Sequence, residues 1–263
     1  QGVQHLAVVG NPHANQPLAI AELVRDYPFR VTYYLKGKDQ PPFQGNHLPL
    51  RYLIPAHQRN YIARQDWPQV TALVKQTFVQ AGLGEDRYRI LTEGTPCPEA
   101  QPGAWSLLTE LLRQCASEKI ELDHLWIDAG TGMMAAILLL AATALEVQFE
   151  LHIVLMVESG SEFYKLLNQQ QAAFEKYSGI KIAEYARHTL HRPVNPKRFG
   201  QVTAASQIKL QQLMAASQLL LDPLYTGPLL ETALSNAVKR KGTHLIVHSG
   251  GLTSLLSNPG WMV

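Results

Sequence analysis

The stretch WIDAGTGMMAAILLLAA, residues 126–142, decides the fold, because an apolar strand-like run stops at Gly-Thr-Gly and resumes as an Ala/Leu-rich helix. A strand, a glycine turn and a helix in this order are typical of α/β proteins, many of which bind a phosphate there through outward-facing backbone N–H groups and the helix dipole. Met133 and Met134 are unusual in such a turn, which is generally small and polar. The residues alone leave two interpretations: a phosphate-binding turn, or a tight turn into a core helix.

Apolar, β-branched runs alternate with helical patterns along the rest of the chain. The predicted strands are 5–10, 30–36, 50–54, 88–92, 124–129, 149–156, 219–223 and 244–250. The predicted helices are 16–26, 67–82, 104–117, 132–146, 161–178, 204–218 and 228–241. This alternation predicts βαβ units and therefore an α/β fold with parallel sheets.

A break in the pattern predicts two domains. The segment EGTPCPEAQPG, residues 93–103, contains three prolines and two glycines. We place the boundary there, between a smaller α/β domain at 1–95 and a larger one at 96–263, both of ordinary size. A second segment rich in glycine, proline and polar residues, 37–49, predicts a surface loop.

Composition excludes several classes of protein. The chain of 263 residues is 46% hydrophobic and 17% charged, which indicates a globular protein, and its net charge of +2 gives no case for binding nucleic acid. The two cysteines, Cys97 and Cys115, form neither a disulfide framework nor a metal-ligand spacing and suit a reducing compartment. The longest apolar stretch, 133–145, is too short to span a bilayer. We therefore expect a cytoplasmic protein without a metal site, a membrane or a nucleic-acid partner.

Four predicted strand ends carry residues that suggest a ligand site, since open α/β sheets bind ligands at the carboxyl ends of their strands. They are GNPHANQ (10–16), AGTGMM (129–134), DPLYTG (222–227) and HSGG (248–251). Taken singly, each is compatible with an ordinary turn or a core residue. In combination, and with EGTPCPEAQPGAW (93–105), they resemble the pyridoxal-phosphate-dependent 1-aminocyclopropane-1-carboxylate (ACC) deaminase and D-cysteine desulfhydrase family. The most specific parts of the resemblance are DPLYTG and HSGG.

This resemblance implies a fold, a cofactor and a set of site residues. The fold is tryptophan synthase β-like, fold type II: two open, twisted, mainly parallel sheets flanked by helices. The turn Gly130–Met134 is implied to hold the phosphate of pyridoxal 5'-phosphate, Asn15 its phenolic oxygen and Ser249 its pyridine nitrogen. Tyr225 is implied to be the catalytic acid or base over the substrate. The cofactor-binding residues are therefore Asn15, Gly130, Thr131, Gly132, Met133, Met134 and Ser249.

Several positions depart from the family pattern. The family's Schiff-base lysine lies upstream of the first residue of this chain, and Lys36 and Lys38, expected to be solvated, match nothing in its motif. A serine and a histidine of the family are Ala14 and Gln16 here, and a lysine that often follows Tyr-Thr-Gly is Pro228. Two explanations follow: the chain lacks an N-terminal segment that carries the lysine, or it is a relative that has lost the chemistry.

Three functions follow from these observations. The first is a deaminase or desulfhydrase, a lyase-type enzyme that converts a small, D-cysteine-like amino acid into ammonia and a 2-oxo acid; the resemblance also implies a homodimer. The second is a degenerate relative that binds pyridoxal phosphate, or a phosphorylated small molecule, without turnover. The third is a nucleotide-binding domain built on Gly130-Thr131-Gly132, which the missing three-glycine fingerprint disfavours.

Overall fold

The computed structural model of the chain describes residues 2–194 and 199–257. Its strands are β1 (His5–Gly10), β2 (Arg30–Lys36), β3 (Arg59–Ile62), β4 (Tyr88–Leu91), β5 (His124–Ala129), β6 (Glu150–Leu155), β7 (His188–His191) and β8 (His244–Ile246). Its α-helices are α1 (Asn15–Leu23), α2 (His47–Leu53), α3 (Val70–Gln80), α4 (Gln101–Glu118), α5 (Met133–Ala144), α6 (Gly160–Ser178), α7 (Ala204–Ser217) and α8 (Thr226–Ala237).

Within those two ranges, the strands form two four-stranded sheets in the orders β3-β2-β1-β4 and β7-β6-β5-β8. Every pair of neighbouring strands is parallel. The central strands are apolar on both faces, as parallel strands covered by helices require; Val8 and Val9, on opposite faces of β1, are both buried. The predicted α/β fold with two mainly parallel sheets is confirmed.

The chain divides into two compact units. The first contains the β1–β4 sheet and comprises the described residues up to 95 together with 253–257, and the second comprises 96–252. The sequence boundary at 95 lies at this division, whereas the segment 253–257 groups with the first unit and not with the larger domain. Residues 258–263, which the prediction gave to the larger domain, lie outside the described residues.

Two predicted strands are wrong, and two real ones were not predicted. Residues 50–53 belong to helix α2 and Ile54 caps its end; Leu50 and Ile54 are buried while Tyr52 between them is 83% exposed. A spacing of four residues between buried side chains is the helical period, which the β-branched and aromatic composition concealed. Residues 219–223 form no strand. The unpredicted strands, β3 and β7, are four-residue edge strands with polar sequences and carry little apolar signal.

Helix α5 fixes the position of the turn before it. It is buried around its whole circumference, from Ala135 to Ala142, and packs against α4 and α6 on the sheet that contains β5. A helix that is apolar all round belongs to the core, so the turn between β5 and α5 is held at both ends by buried structure. Among the described residues, no helix combines the length and apolar character needed to cross a membrane.

Candidate functional site

The turn between β5 and α5 leaves a helix N-terminus open. Gly132 is the N-cap of α5, with a φ of 81°, and no side chain caps the helix. The first backbone N–H groups of a helix have no partner within it, so this end can bind an anion. In the same unit, α6 and α7 begin with capping boxes formed by Ser159 with Glu162 and by Thr203 with Ser206. Side chains therefore accept from N–H groups at these two helix starts, whereas none does so at the start of α5 or of α4.

The structure brings Tyr225 against this turn. A methyl group built on Gly130 would lie 2.9 Å from Cε1 and 3.5 Å from the hydroxyl oxygen of Tyr225. The Tyr225 ring also approaches Phe199, with 5.5 Å between the ring centroids. Glycine at position 130 is therefore what allows the phenol to lie over the turn, and two of the site residues expected from sequence are neighbours in space.

The two methionines of the turn have different surroundings. Met133 is buried beside Ala104 and Ile137, so its side chain belongs to the core and only its backbone faces the turn. Met134 is 45% exposed, and Thr131 is exposed. The side chains that can reach a ligand from the turn are therefore those of Thr131 and Met134.

The DPLYTG motif sets the position of Tyr225. The carboxylate of Asp222, which is fully buried, accepts hydrogen bonds from the backbone N–H groups of Leu224, Tyr225 and Thr226 and from the Thr226 hydroxyl, each 2.8 Å long. These bonds cap the start of α8 and fix the backbone of Tyr225. Asp222 thus acts on the site through Tyr225.

Gly227 of the same motif is required by packing. A Cβ atom at this position would lie 2.5 Å from Cδ1 of Leu210 and 2.8 Å from the carbonyl oxygen of Asp222. No real side chain tolerates a backbone oxygen at that distance. Asp222, Thr226 and Gly227 of the motif therefore build the start of α8, and Tyr225 is the residue of the motif whose side chain contacts the Gly130 turn.

Ser249 contacts a carboxylate that the sequence analysis missed. Its hydroxyl donates to Oδ1 of Asp128 at 2.9 Å, and Asp128 lies two residues before Gly130 on β5. Burial raises the pKa of Asp128, and the negative charge of Asp222 raises it further, whereas the bond from Ser249 lowers it. An acidic residue at the end of an otherwise apolar strand, HLWIDA, was the signal in the sequence that could have revealed it.

We expect Asp128→Asn to change how stability depends on pH. A carboxyl whose pKa is raised by folding binds its proton more tightly in the folded state than in the unfolded state. Its contribution to the free energy of unfolding is therefore complete below the ordinary pKa of 3.8 and is lost as the pH rises through the raised pKa. The asparagine variant lacks this loss, and its free energy of unfolding, measured by urea denaturation from pH 3.5 to 7, should fall less with pH. Ser249→Ala, which removes a bond that lowers the pKa, should extend the loss to higher pH. A wild-type pH profile in Asp128→Asn would contradict the assignment.

Asn15 lies in the first unit, at the first residue of α1. Its side-chain oxygen accepts from Nδ2 of Asn46 at 2.6 Å, and Asn46 Nδ2 also donates to the carbonyl of His13 at 3.0 Å. This contact orients the Asn15 amide and leaves its nitrogen as the group that can donate to a ligand. Asn46, which is buried, is a further positioning residue that the sequence did not indicate.

Gln16, which stands in place of a family histidine, has a structural role. Its amide nitrogen donates to the carbonyl of Thr92 at 2.7 Å and to the hydroxyl of Thr95, and its oxygen accepts from the N–H of Gly94 at 3.2 Å. The side chain is therefore held against the 92–95 loop. It is not available for proton transfer.

A cavity of about 790 Å³ opens at the carboxyl ends of β1, β2 and β3, within the first unit. Lys36, Lys38 and Arg64 line it, together with His13 and His47, and no described acidic side chain does. Lys36 is half-buried, with Nζ 5.5 Å from the ring centroid of Trp67, so the expectation that it is simply solvated is wrong. A cavity with this charge favours an anionic ligand.

Three comparisons relate the chain to known proteins. A rice protein (Oryza sativa subsp. japonica), provisionally named D-cysteine desulfhydrase 2, mitochondrial, is 27% identical over 183 residues. The aligned part is 64% of this chain and 44% of that protein, so the chain matches less than half the length of its curated relative. No model of a protein family matches the sequence.

Solved structures share the fold over nearly the whole chain. An ACC deaminase homologue has a TM-score of 0.80 at 17% identity, covering 97% of this chain and 76% of that one. A threonine deaminase has a TM-score of 0.60 at 15% identity, covering 95% and 78%. The chain is therefore similar in sequence to a D-cysteine desulfhydrase and has the fold of these solved structures, with two parallel sheets flanked by helices. The homologues of this group depend on pyridoxal phosphate, as the resemblance implied.

Proposed function

We propose that this chain binds pyridoxal phosphate and forms the cofactor-binding part of a deaminase or desulfhydrase that acts on a small, D-cysteine-like amino acid. The observation that carries the proposal is the uncapped N-terminus of α5, with Gly130 packed against Tyr225. The homologous D-cysteine desulfhydrase and ACC deaminase support the reaction class.

The residues of the turn fit a phosphate group. A dianion is favoured by the open N–H groups of α5 and by its helix dipole, and Gly130 and Gly132 let it approach the backbone. The hydroxyl of Thr131 supplies a side-chain donor. In the first unit, the amide nitrogen of Asn15 is the group assigned to the phenolic oxygen.

The hydrogen bond between Ser249 and Asp128 decides what kind of ligand atom Ser249 can bind. Since Ser249 donates its proton to Asp128, its hydroxyl oxygen is left as an acceptor. That arrangement suits a protonated ring nitrogen, with the charge of Asp128 one hydrogen bond away. When bound, pyridoxal phosphate supplies an electron sink for the substrate carbon, and a protonated ring strengthens it.

Tyr225 is assigned the transfer of a proton to or from the substrate. Its hydroxyl lies over the turn, and the Asp222 cap fixes its backbone. Within the first unit, the cationic cavity that contains Lys36, Lys38 and Arg64 would by itself attract an anionic group such as a carboxylate.

A second function has its own support. Gln16 is held against the 92–95 loop, and Pro228 stands where the family often has a lysine, which favours a relative that binds the cofactor, or a phosphorylated small molecule, without turnover. The two functions share the cofactor site and differ only in chemistry.

The proposal is tested by titrating the purified chain with pyridoxal phosphate and following absorbance and tryptophan fluorescence. Saturable binding of one cofactor per chain is expected. Release of ammonia and a 2-oxo acid from D-cysteine or related amino acids then distinguishes the enzyme from the non-catalytic binder, and borohydride treatment with peptide mapping shows whether a lysine engages the cofactor. Binding that does not saturate would overturn the proposal.

Met134→Thr should strengthen cofactor binding. A threonine hydroxyl at this half-exposed position adds a hydrogen bond to a charged phosphate, which contributes about 1.5 kcal/mol or a tenfold decrease in Kd. Thr131→Val should weaken binding, and Leu23→Thr, which places the same residue at a position that is 67% exposed on another helix, should have no effect. Equal Kd values for Met134→Thr and the wild type would show that the phosphate is not held by this turn.

Two further assignments stay predictions. The homodimer rests on the family resemblance and is tested by analytical ultracentrifugation of the full chain. The cytoplasmic location rests on composition alone, while the name of the rice relative places that protein in mitochondria.

A further inference from the structure

A polar cluster occupies one face of the second sheet, at or near the amino ends of β5, β6 and β8, with one further member at the carboxyl end of β7. We call His124, Glu150, His152, His191 and His244 the histidine cluster. His124 and Glu150 are the first residues of β5 and β6 and are paired in the sheet. The Gly130 turn follows the opposite, carboxyl end of β5, so the proposed cofactor site makes no use of this cluster.

Three side chains of the cluster converge as metal ligands do. Nδ1 of His124 and Nε2 of His152 are 3.0 Å apart, and Oε2 of Glu150 lies 3.9 Å and 3.7 Å from them. All three atoms lie within 4.8 Å of one another. Two imidazole nitrogens and one carboxylate oxygen are a common ligand set for Zn²⁺, which leaves a fourth position open.

The remote atom of each of these ligands is already held. Nε2 of His124 contacts the carbonyl of Lys241 at 3.2 Å, and Nδ1 of His152 contacts Nε2 of His191 at 3.1 Å. The other carboxylate oxygen of Glu150 accepts from the hydroxyl of Thr189. Such outer contacts fix ring orientation and direct the opposite atom of each ligand toward a metal.

Without a metal, the same side chains form a hydrogen-bonded row. Because Nε2 of His124 faces the Lys241 carbonyl and must donate to it, Nδ1 of a neutral His124 accepts from Nε2 of His152. The charge of Glu150 is balanced by Arg240, whose Nη1 lies 3.2 Å from Oε2. The Arg240 side chain is 33% exposed and that of Glu150 is 20% exposed. Arg240 can leave toward water, so it competes with a cation for Oε2 and does not close the site.

We propose that His124, Glu150 and His152 bind a divalent transition metal of the Zn²⁺ class, which links β5 to β6. Imidazole ligands favour such a metal over Mg²⁺ and Ca²⁺, which prefer oxygen ligands. Water fills the fourth position after Arg240 withdraws from Oε2. The site is independent of the proposed function and requires no pyridoxal phosphate.

The test is metal binding by the full chain after treatment with a chelator. Titration with Zn²⁺ by calorimetry should give one ion per chain, and Co²⁺ should give the absorption of a low-coordinate site. His124→Asn and Glu150→Gln should each weaken Zn²⁺ binding by more than about tenfold, as loss of a supporting contact alone already does. His57→Asn removes an exposed histidine of the first unit and should bind Zn²⁺ as the wild type does.

Arg240→Met keeps all three ligands and removes their competitor. It should bind Zn²⁺ severalfold more tightly, an effect that a purely structural network does not produce, and it keeps the test valid if the ligand variants fold poorly. The proposal is overturned if the wild type takes up no Zn²⁺. It is also overturned if His124→Asn or Glu150→Gln binds Zn²⁺ with wild-type affinity, or if Arg240→Met shows no change in affinity.

Discussion

Asp222→Ala is expected to lower the free energy of unfolding by about 3 kcal/mol, because it leaves buried donors without an acceptor. The Asp222 carboxylate accepts from three backbone N–H groups and from the Thr226 hydroxyl at the start of α8. Water cannot replace it, since Asp222 and Thr226 are both buried. Urea denaturation of the two proteins at pH 7 measures the difference.

The Asp222→Asn variant tests the same prediction with a smaller expected effect. Its side-chain oxygen can still accept from Leu224 and Tyr225, but an amide nitrogen then faces the donors of Thr226, so we expect an intermediate loss of stability. Asp66→Asn is the control, because Asp66 is exposed and its side chain caps no helix. If Asp222→Ala were as stable as Asp66→Asn, the cap would not hold α8.

The second large effect is expected from Gly130→Ala, which should weaken pyridoxal phosphate binding by more than about tenfold. The added methyl group would lie 2.9 Å from the Tyr225 ring, closer than carbon atoms allow. Either the ring moves off the turn or the turn itself shifts, and both changes disturb the N–H groups that face the phosphate. Cofactor titration followed by tryptophan fluorescence gives the two Kd values.

Gly103→Ala provides the matched control for this substitution. Gly103 lies in α4, and a methyl group built there has no atom within 4 Å. It should leave Kd unchanged and slightly stabilise the helix, by up to about 1 kcal/mol. If Gly130→Ala bound the cofactor as tightly as the wild type, the contact between Gly130 and Tyr225 would not be needed for cofactor binding.

The candidate site was partly predictable. The turn at 130–134 was visible because glycines interrupt an apolar run, and Tyr225 because its motif resembles a family motif. Asp128 and Asn46 could not be recognised in the same way. Their importance depends on partners far away in the chain, Ser249 and Asn15, which are brought together only by folding.

By itself, the sequence determined that this protein is an α/β protein with parallel sheets, because alternating apolar strands and helical patterns have few other ways to bury their surfaces. It also predicted the turn into α5 and a boundary near residue 95. Only the tertiary structure decided that residues 50–53 are helical, since their buried face is set by what packs against it. The histidine cluster likewise exists only in the folded sheet. Parallel pairing places His124 beside Glu150, which is 26 residues further along the chain, and local sequence does not encode this register.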